Sequence, residues 1–357
     1  HVQSINVVVS VVHLIVIFGL YVFDELSIER IFALITIEFL LATLVAWWLF
    51  QINFSSEVKT FRQIIEEYKI FCTPLFLFTY LGFAVNFADT WMLQHYGGAV
   101  EQAYYGIGHR FSVISLLVTS SVLGVLWKEV SESNERGDTA RVYRIYEFAN
   151  RALFMLGAFI SGFLIPWASE IIQLILGDEY MGGVFVLALM FFYPVHQSLG
   201  QLSGTMYYAL ELTKPYAIIG MINMSLSLIL VYFLLASENA IIPGLNLAST
   251  GLAMKMVVLQ IFSVNFSIWW LTKSQGWKFT IIYQFIGMSS FIIAGFTAKV
   301  IVSFFLWNES LQLLQFILTG LFYIVLSGVI IYSMPWLLNM TRNEIKQHVL
   351  SAKGLVQ

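Results

Sequence analysis

"NFADTWMLQHYGGAVEQAYYGIGHRFSV", residues 86–113, sets an acid and a base inside sequence that is apolar on both sides. Asp89 lies near the end of one apolar run and Arg110 inside the next. Two hydrocarbon runs joined by a short polar connection read as two helices that cross a bilayer and return. An ionised side chain at that depth costs at least about 2.5–3.5 kcal/mol on insertion scales, so each of these two needs a partner or a wet cavity.

The rest of the chain has the same character. Of 357 residues, 59% are hydrophobic, 16% aromatic and only 11% charged, and the mean hydropathy is +0.81. A soluble domain carries roughly 25% charged residues, so the composition is that of an integral membrane protein. The net charge of −3 decides little, because placement of charge matters more than its sum. A lone cysteine, Cys72, excludes an internal disulfide and a cysteine metal pair. No basic n-region with a cleavage site precedes the first apolar run, so residues 1–23 do not read as a signal peptide. Beginning at His1 and turning apolar at once, the chain reads as the C-terminal part of a longer protein.

Runs of about 20 apolar residues fall near 5–23, 31–52, 70–92, 103–127, 147–167, 181–209, 215–236, 247–271, 280–303 and 312–338. The expectation is an all-α, polytopic membrane protein of about ten transmembrane helices. No connection is long enough to hold a soluble domain. On one set of alternate connections lie Lys59, Arg62, Lys69, Lys128, Arg136, Arg141, Arg144, Lys214, Lys273, Lys278, Arg342, Lys346 and Lys353. The other set holds Arg30, and its connections 93–102, 168–180 and 237–246 contain acids without Lys or Arg. Basic residues gather in cytoplasmic loops, so the first set and the C-terminus are expected inside. In "EVKTFRQIIEEYKIF", residues 57–71, apolar Val58, Phe61, Ile64, Ile65 and Tyr68 recur at helical spacing with charges opposite. That predicts an amphipathic helix on the cytoplasmic surface, either a plain juxtamembrane linker or a hinge between lobes.

Four charges sit inside spans: Glu38, Asp89, Arg110 and Lys255. At ~1.5 Å per residue they lie about 5–12 Å from the outer helix ends, which lets them line one polar chamber in the outer half of the membrane. Asp89 and Arg110 either pair across their hairpin or separate, with the Arg110 guanidinium free to take a phosphate in its bidentate fork. Lys255, in "STGLAMKMVVLQ", has no local partner and is expected in the cavity wall. Glu38 is either a proton or cation site or the partner of a base on another helix. His109 faces away from its neighbour, and Lys299, near the outer end of its span, is expected to snorkel. Gln197 and Gln201, one turn apart in "HQSLGQLSG", suit hydrogen bonding to a sugar or to another helix, and the Gly200-to-Gly204 spacing suits close helix packing. The Walker A, HExxH and GxSxG patterns are all missing. No catalytic residue, metal or cofactor is assigned, and no nucleic-acid partner is expected.

Three stretches resemble polysaccharide transporters, the O-antigen flippases among them, of the multidrug/oligosaccharidyl-lipid/polysaccharide exporter superfamily. They are "PLFLFTYLGFAVNFADTWMLQHYGGAVEQAYYGIGHRFSVISLLVTSSVLGVLWKEVSE" at 74–132, "IIQLILGDEYMGG" at 171–183 and "YYALELTKPYAIIGMINM" at 207–224. The first is similar to the family's seventh and eighth helices. The resemblance implies two six-helix lobes that alternate between inward-open and outward-open states, with two further C-terminal helices. On that pattern residues 1–52 are the last two helices of a shortened N-terminal lobe and 53–69 the inter-lobe linker. Residues 70–272 form the C-terminal lobe, 273–340 the two added helices and 341–357 a cytoplasmic tail. About four N-terminal helices of the pattern are lacking. The implied substrate is an oligosaccharide on a polyprenyl diphosphate lipid, flipped across a bacterial or archaeal cytoplasmic membrane. Membrane lipid and the glycan polymerase and ligase machinery would be its further partners. Arg110 and Lys255 would take the anionic headgroup, Gln197 and Gln201 the sugar, and Asp89 and Glu38 would serve ion coupling. An ion-coupled multidrug or cation antiporter of the same superfamily is the alternative, followed by a membrane-embedded glycan polymerase or ligase.

Overall fold

Hydrocarbon offers the backbone no hydrogen-bond partner, so a chain of this composition satisfies its N–H and C=O groups within helices. The computed structural model describes residues 2–23, 25, 27–50, 61–306 and 312–344, and among these every regular element is helical. In order they are α1 (Val2–Val22), α2 (Ile28–Phe50), α3 (Phe61–Glu135), α4 (Thr139–Leu164), α5 (Ala168–Leu176), α6 (Val184–Met190), α7 (Tyr193–Ala209), α8 (Thr213–Leu235), α9 (Ala248–Ser274), α10 (Ile282–Phe305) and α11 (Gln312–Ser333). The chain divides into two compact units, His1–Tyr68 and Lys69–Gln357. The cytoplasmic tail expected at 341–357 lies outside the described residues from 345 onward, as do residues 53–60 of the linker expected at 53–69.

In the first unit α1 and α2 are joined by a short turn, where Arg30 contacts the Glu25 carboxylate at 2.5 Å. Within this helix pair the His13 ring nitrogen meets Glu38 at 2.7 Å. Residues 61–71 are helical, as the amphipathic spacing predicts. They are the first turns of α3, and residues 57–60 of the expected amphipathic helix lie outside the described residues.

The second unit opens with a hairpin. Helix α3 is helical from end to end except at Gly98, whose φ of 81° and ψ of −175° no helix contains. That positive φ favours glycine, which has no Cβ to clash. The two arms then turn back on each other. Phe78 on the first arm and Trp127 on the second both reach the Tyr208–Tyr216 ring pair, at 5.5 and 6.4 Å between centroids. A straight helix would hold those residues roughly 70 Å apart. The expected turn over 93–102 is thus a reversal at one residue, with helix continuing on either side.

Among the described residues, six helical segments are long and apolar enough to cross a membrane: Thr139–Leu176, Asp178–Ala209, Thr213–Leu235, Ala248–Ser274, Ile282–Phe305 and Gln312–Ser333. They fall on six of the ten expected runs. The first is longer than 147–167 because a 3-10 turn at Ile165–Trp167 carries it into α5; Pro166 sits early in that turn, where a missing N–H costs nothing. Residues 168–180, expected as an outer connection, are therefore mostly helix. Outward-facing Ile222, Phe262 and Phe304 are exposed, which suits contact with lipid tails and not with water.

In lipid, helices associate through close packing and polar contacts, because hydrocarbon is as apolar as their side chains. The core accordingly joins α4, α7, α9, α10 and α11 through Tyr146, Phe154, Leu199, Tyr207, Tyr283, Phe291 and Tyr323, all fully buried. Helices α10 and α11 and the turn that follows share this core with the helices before them. The tightest approach is between α4 and α10. A Cβ on Gly295 would collide with the Gly162 carbonyl, and one on Gly162 would lie 2.7 Å from the Phe291 backbone.

Candidate functional site

Between α3, α7, α8 and α9 lies a cavity of about 310 Å3. Its polar lining comes from helical faces: Gln197 and Gln201 on α7, Tyr216 and Asn223 on α8, and Gln260, Ser263 and Ser267 on α9. Each set recurs at three, four or seven residues, the spacing that brings side chains to one side of a helix. Asn223 is ten residues into α8 and Gln260 twelve into α9, or about 15 and 18 Å from the helix starts. Both stand close to their helix midpoints, the depth at which polar groups in a bilayer are most costly. Phe78, Ile219 and Met224 complete the wall.

The lining contains no Lys, Arg, His, Asp or Glu. Gln260 donates through Nε2 to Gln197 Oε1 at 2.5 Å. Behind the wall the Ser203 and Ser267 hydroxyls meet at 3.1 Å, and the Tyr207 hydroxyl donates to the Ser267 carbonyl at 2.9 Å. Gln201 differs. Its Oε1 is buried and has no hydrogen-bond partner. A buried acceptor left unmade costs about 1–3 kcal/mol, and this oxygen is closed off from the cavity space, so Gln201 can meet an occupant only through its amide nitrogen. Gly200 also lines this cavity, and Gly204 lies against the Tyr216 ring; the pair that lets two backbones meet is Gly162 and Gly295.

A second polar feature lies on another side of α9. Lys255 donates through Nζ to both oxygens of Asp89, at 2.6 and 2.5 Å. The side chains are only 1% and 9% exposed. Leu93, Tyr105 and Leu252 pack around this part of α3 and α9. Six residues earlier on α9, the Ser249 backbone N–H and hydroxyl both donate to the Glu101 carboxylate from the second arm of α3. An acid there also complements the positive N-terminal end of α9. Both arms of the hairpin are thereby pinned to one helix.

This arrangement corrects several expectations. Lys255 was expected in the cavity wall without a partner, yet it is buried against Asp89. Asp89 does not pair with Arg110 across the hairpin; the partner comes from α9, 166 residues along the chain. Arg110 is exposed on the second arm and has no ion-pair or hydrogen-bond partner among the described residues. Glu38 belongs to the first unit and meets His13. Lys299 does not snorkel outward. It folds onto Glu170 at 2.5 Å and the Pro166 carbonyl at 2.6 Å, over the Trp167 ring. Gln197 and Gln201 do come together in one wall, as their spacing predicts.

The sequence reading passed over Glu147 and Arg151, which form a buried pair at 2.7 Å. Arg151 also donates to the Trp336 carbonyl at 2.6 Å, tying α4 to the turn after α11. Their i,i+4 spacing was the available signal. Asn223 and Gln260 were missed as well, because a single amide in an apolar run carries no periodicity. Among the described residues no three His, Cys, Asp or Glu side chains are grouped to hold a metal ion.

The fold and the cavity define a helical membrane protein with an uncharged polar chamber halfway along its helices. Compared with known proteins, the chain matches no family model, no curated protein and no solved structure. The resemblance to polysaccharide transporters rests on the residues quoted for it.

Proposed function

We propose that this protein is a carrier that moves a polyprenyl-diphosphate-linked oligosaccharide across a bacterial or archaeal cytoplasmic membrane by alternating access. The observation that carries the reading is the polar cavity sunk between α3, α7, α8 and α9 in a bundle whose exterior is apolar. A glycan crossing a bilayer needs hydrogen-bonding groups at mid-depth, while its lipid tail can stay in the hydrocarbon. In this reading α1, α2 and the two arms of α3 also span, giving ten helices, and the basic connections and the C-terminus face the cytoplasm. The cavity belongs entirely to the second unit.

Arg110 takes the diphosphate in this scheme, since it is exposed and has no partner among the described residues. Lys255 holds Asp89 instead and binds no headgroup. Asp89, with both oxygens engaged by Lys255, has no place for a coupling ion in this arrangement. The cation-antiporter alternative is less well supported, because a cation site draws on carboxylates and the cavity wall has none. The test uses the complete protein in a strain whose surface glycan requires it. Gln201→Met, Gln260→Met and Arg110→Ala are scored for glycan display and for the leaflet holding the lipid-linked sugar, at matched membrane levels. Lost display with sugar trapped in the inner leaflet supports flipping; normal display in all three removes it.

A further inference from the structure

We infer that the amide cavity is a binding site for uncharged sugar residues and that it discriminates against sugars bearing a carboxylate. The inference rests on the carrier reading for why a glycan would reach this depth. It adds what part of the glycan is read there, and by which atoms.

The occupant can be argued from the wall. A cation would need carboxylates, and an anion would need basic groups; the lining offers neither. The nearest basic residue along α9, Lys255, sits about 140° around the helix from Gln260 and has Asp89 as counter-ion. An acyl chain would leave Gln197, Gln201, Asn223 and Gln260 facing hydrocarbon with hydrogen-bonding groups unmade. Hydroxyl and acetamido groups meet the requirement, because each both donates and accepts, as do the amides opposite them. Gln201 lines the cavity with its oxygen closed off and its amide nitrogen without a protein acceptor among the described residues, so it can donate to a sugar hydroxyl. Phe78 and Tyr216 give ring faces for the apolar side of a sugar. The volume equals that of about ten waters at ~30 Å3 each, space for one sugar ring with bound water. It lies at the small end of the range for ligand sites.

Discrimination follows from the same wall. A uronic acid differs from its hexose by a carboxylate in place of a hydroxymethyl group. Burying that charge here would strip its hydration with no counter-ion to replace it. An N-acetylhexosamine or a neutral hexose brings no such cost.

The test measures equilibrium binding to the complete protein in lipid nanodiscs. The probes are a neutral oligosaccharide and its counterpart with one hexose oxidised to the uronic acid. The neutral probe is expected to bind saturably, with the acidic one at least about tenfold weaker. Gln201→Met and Gln260→Met, close in shape to glutamine but without the amide, are expected to weaken the neutral probe by about tenfold or more. Lys128→Ala, exposed and outside the cavity, is expected to leave it unchanged. Equal or tighter binding of the acidic probe overturns the inference, and that comparison needs no variant to fold. Unchanged neutral binding in both methionine variants also overturns it, as does saturable binding of neither probe, which would make this a water-filled void. The carrier reading can fail separately. If glycan display survives every cavity variant while neutral-sugar binding is lost, the site stands and flipping falls.

Discussion

Helix α9 carries two polar features five residues apart and treats them in opposite ways. At Lys255 a full charge is matched by a full counter-charge, both carboxylate oxygens are engaged, and almost no surface remains. From Gln260 to Ser267 the groups are uncharged, only partly paired, and open onto a cavity. A charge at this depth must be neutralised where it stands, so it is committed to one partner. A carboxamide can trade a protein partner for a ligand at little cost, so it can be left available. The charges tie helices together, and the amides are left facing the cavity.

The largest expected effect breaks the closed side of this comparison. Lys255→Met leaves a buried carboxylate alone and is expected to destabilise the protein by about 3–5 kcal/mol, read as a loss of folded fraction in a denaturant titration in mixed micelles. Replacing Asp89 with Leu in the same chain should restore most of that loss, since an apolar pair of similar volume is tolerated. A double mutant no better than the single would mean that the pair does more than neutralise charge. Arg151→Met asks whether the other buried pair behaves alike. A similar loss of about 3–5 kcal/mol is expected, because Glu147 is buried about as deeply as Asp89.

On the open side the sign changes. Gln201→Met removes an acceptor that has no partner, so stability should stay within about 1 kcal/mol of the unmutated protein or rise, while glycan display falls. A large destabilisation would show that Gln201 supports the fold and is not held for a ligand. Arg110→Ala is expected to shift stability least, within about 0.5 kcal/mol, as for other exposed and unpartnered residues. Its effect should appear in glycan display alone, about tenfold if one charge-assisted contact to phosphate is lost.

Much of the architecture was legible along the chain. The apolar runs beginning near 147, 181, 215, 247, 280 and 312 each became a helix long enough to span, because run length and composition are local properties that a bilayer reads directly. The connection between Asp89 and Arg110 became a reversal because Gly98 tolerates a positive φ. The cost of burying charge singled out Asp89 and Lys255, and the one-turn spacing of Gln197 and Gln201 put them on a common face.

Partnership was not legible. Nothing local tells Asp89 that its counter-ion is Lys255 on α9 and not Arg110 on the next arm; helix rotation and the order of packing in the bundle set that. The cavity was hidden for the same reason. Asn223 and Gln260 are isolated amides on separate helices, and only the packing of α7, α8 and α9 turns them toward Gln197 and Gln201. The sequence by itself determined a helical membrane chain and named the side chains too polar to face lipid. The tertiary structure alone decided which of them are closed against each other and which remain open, because those contacts join residues far apart in sequence.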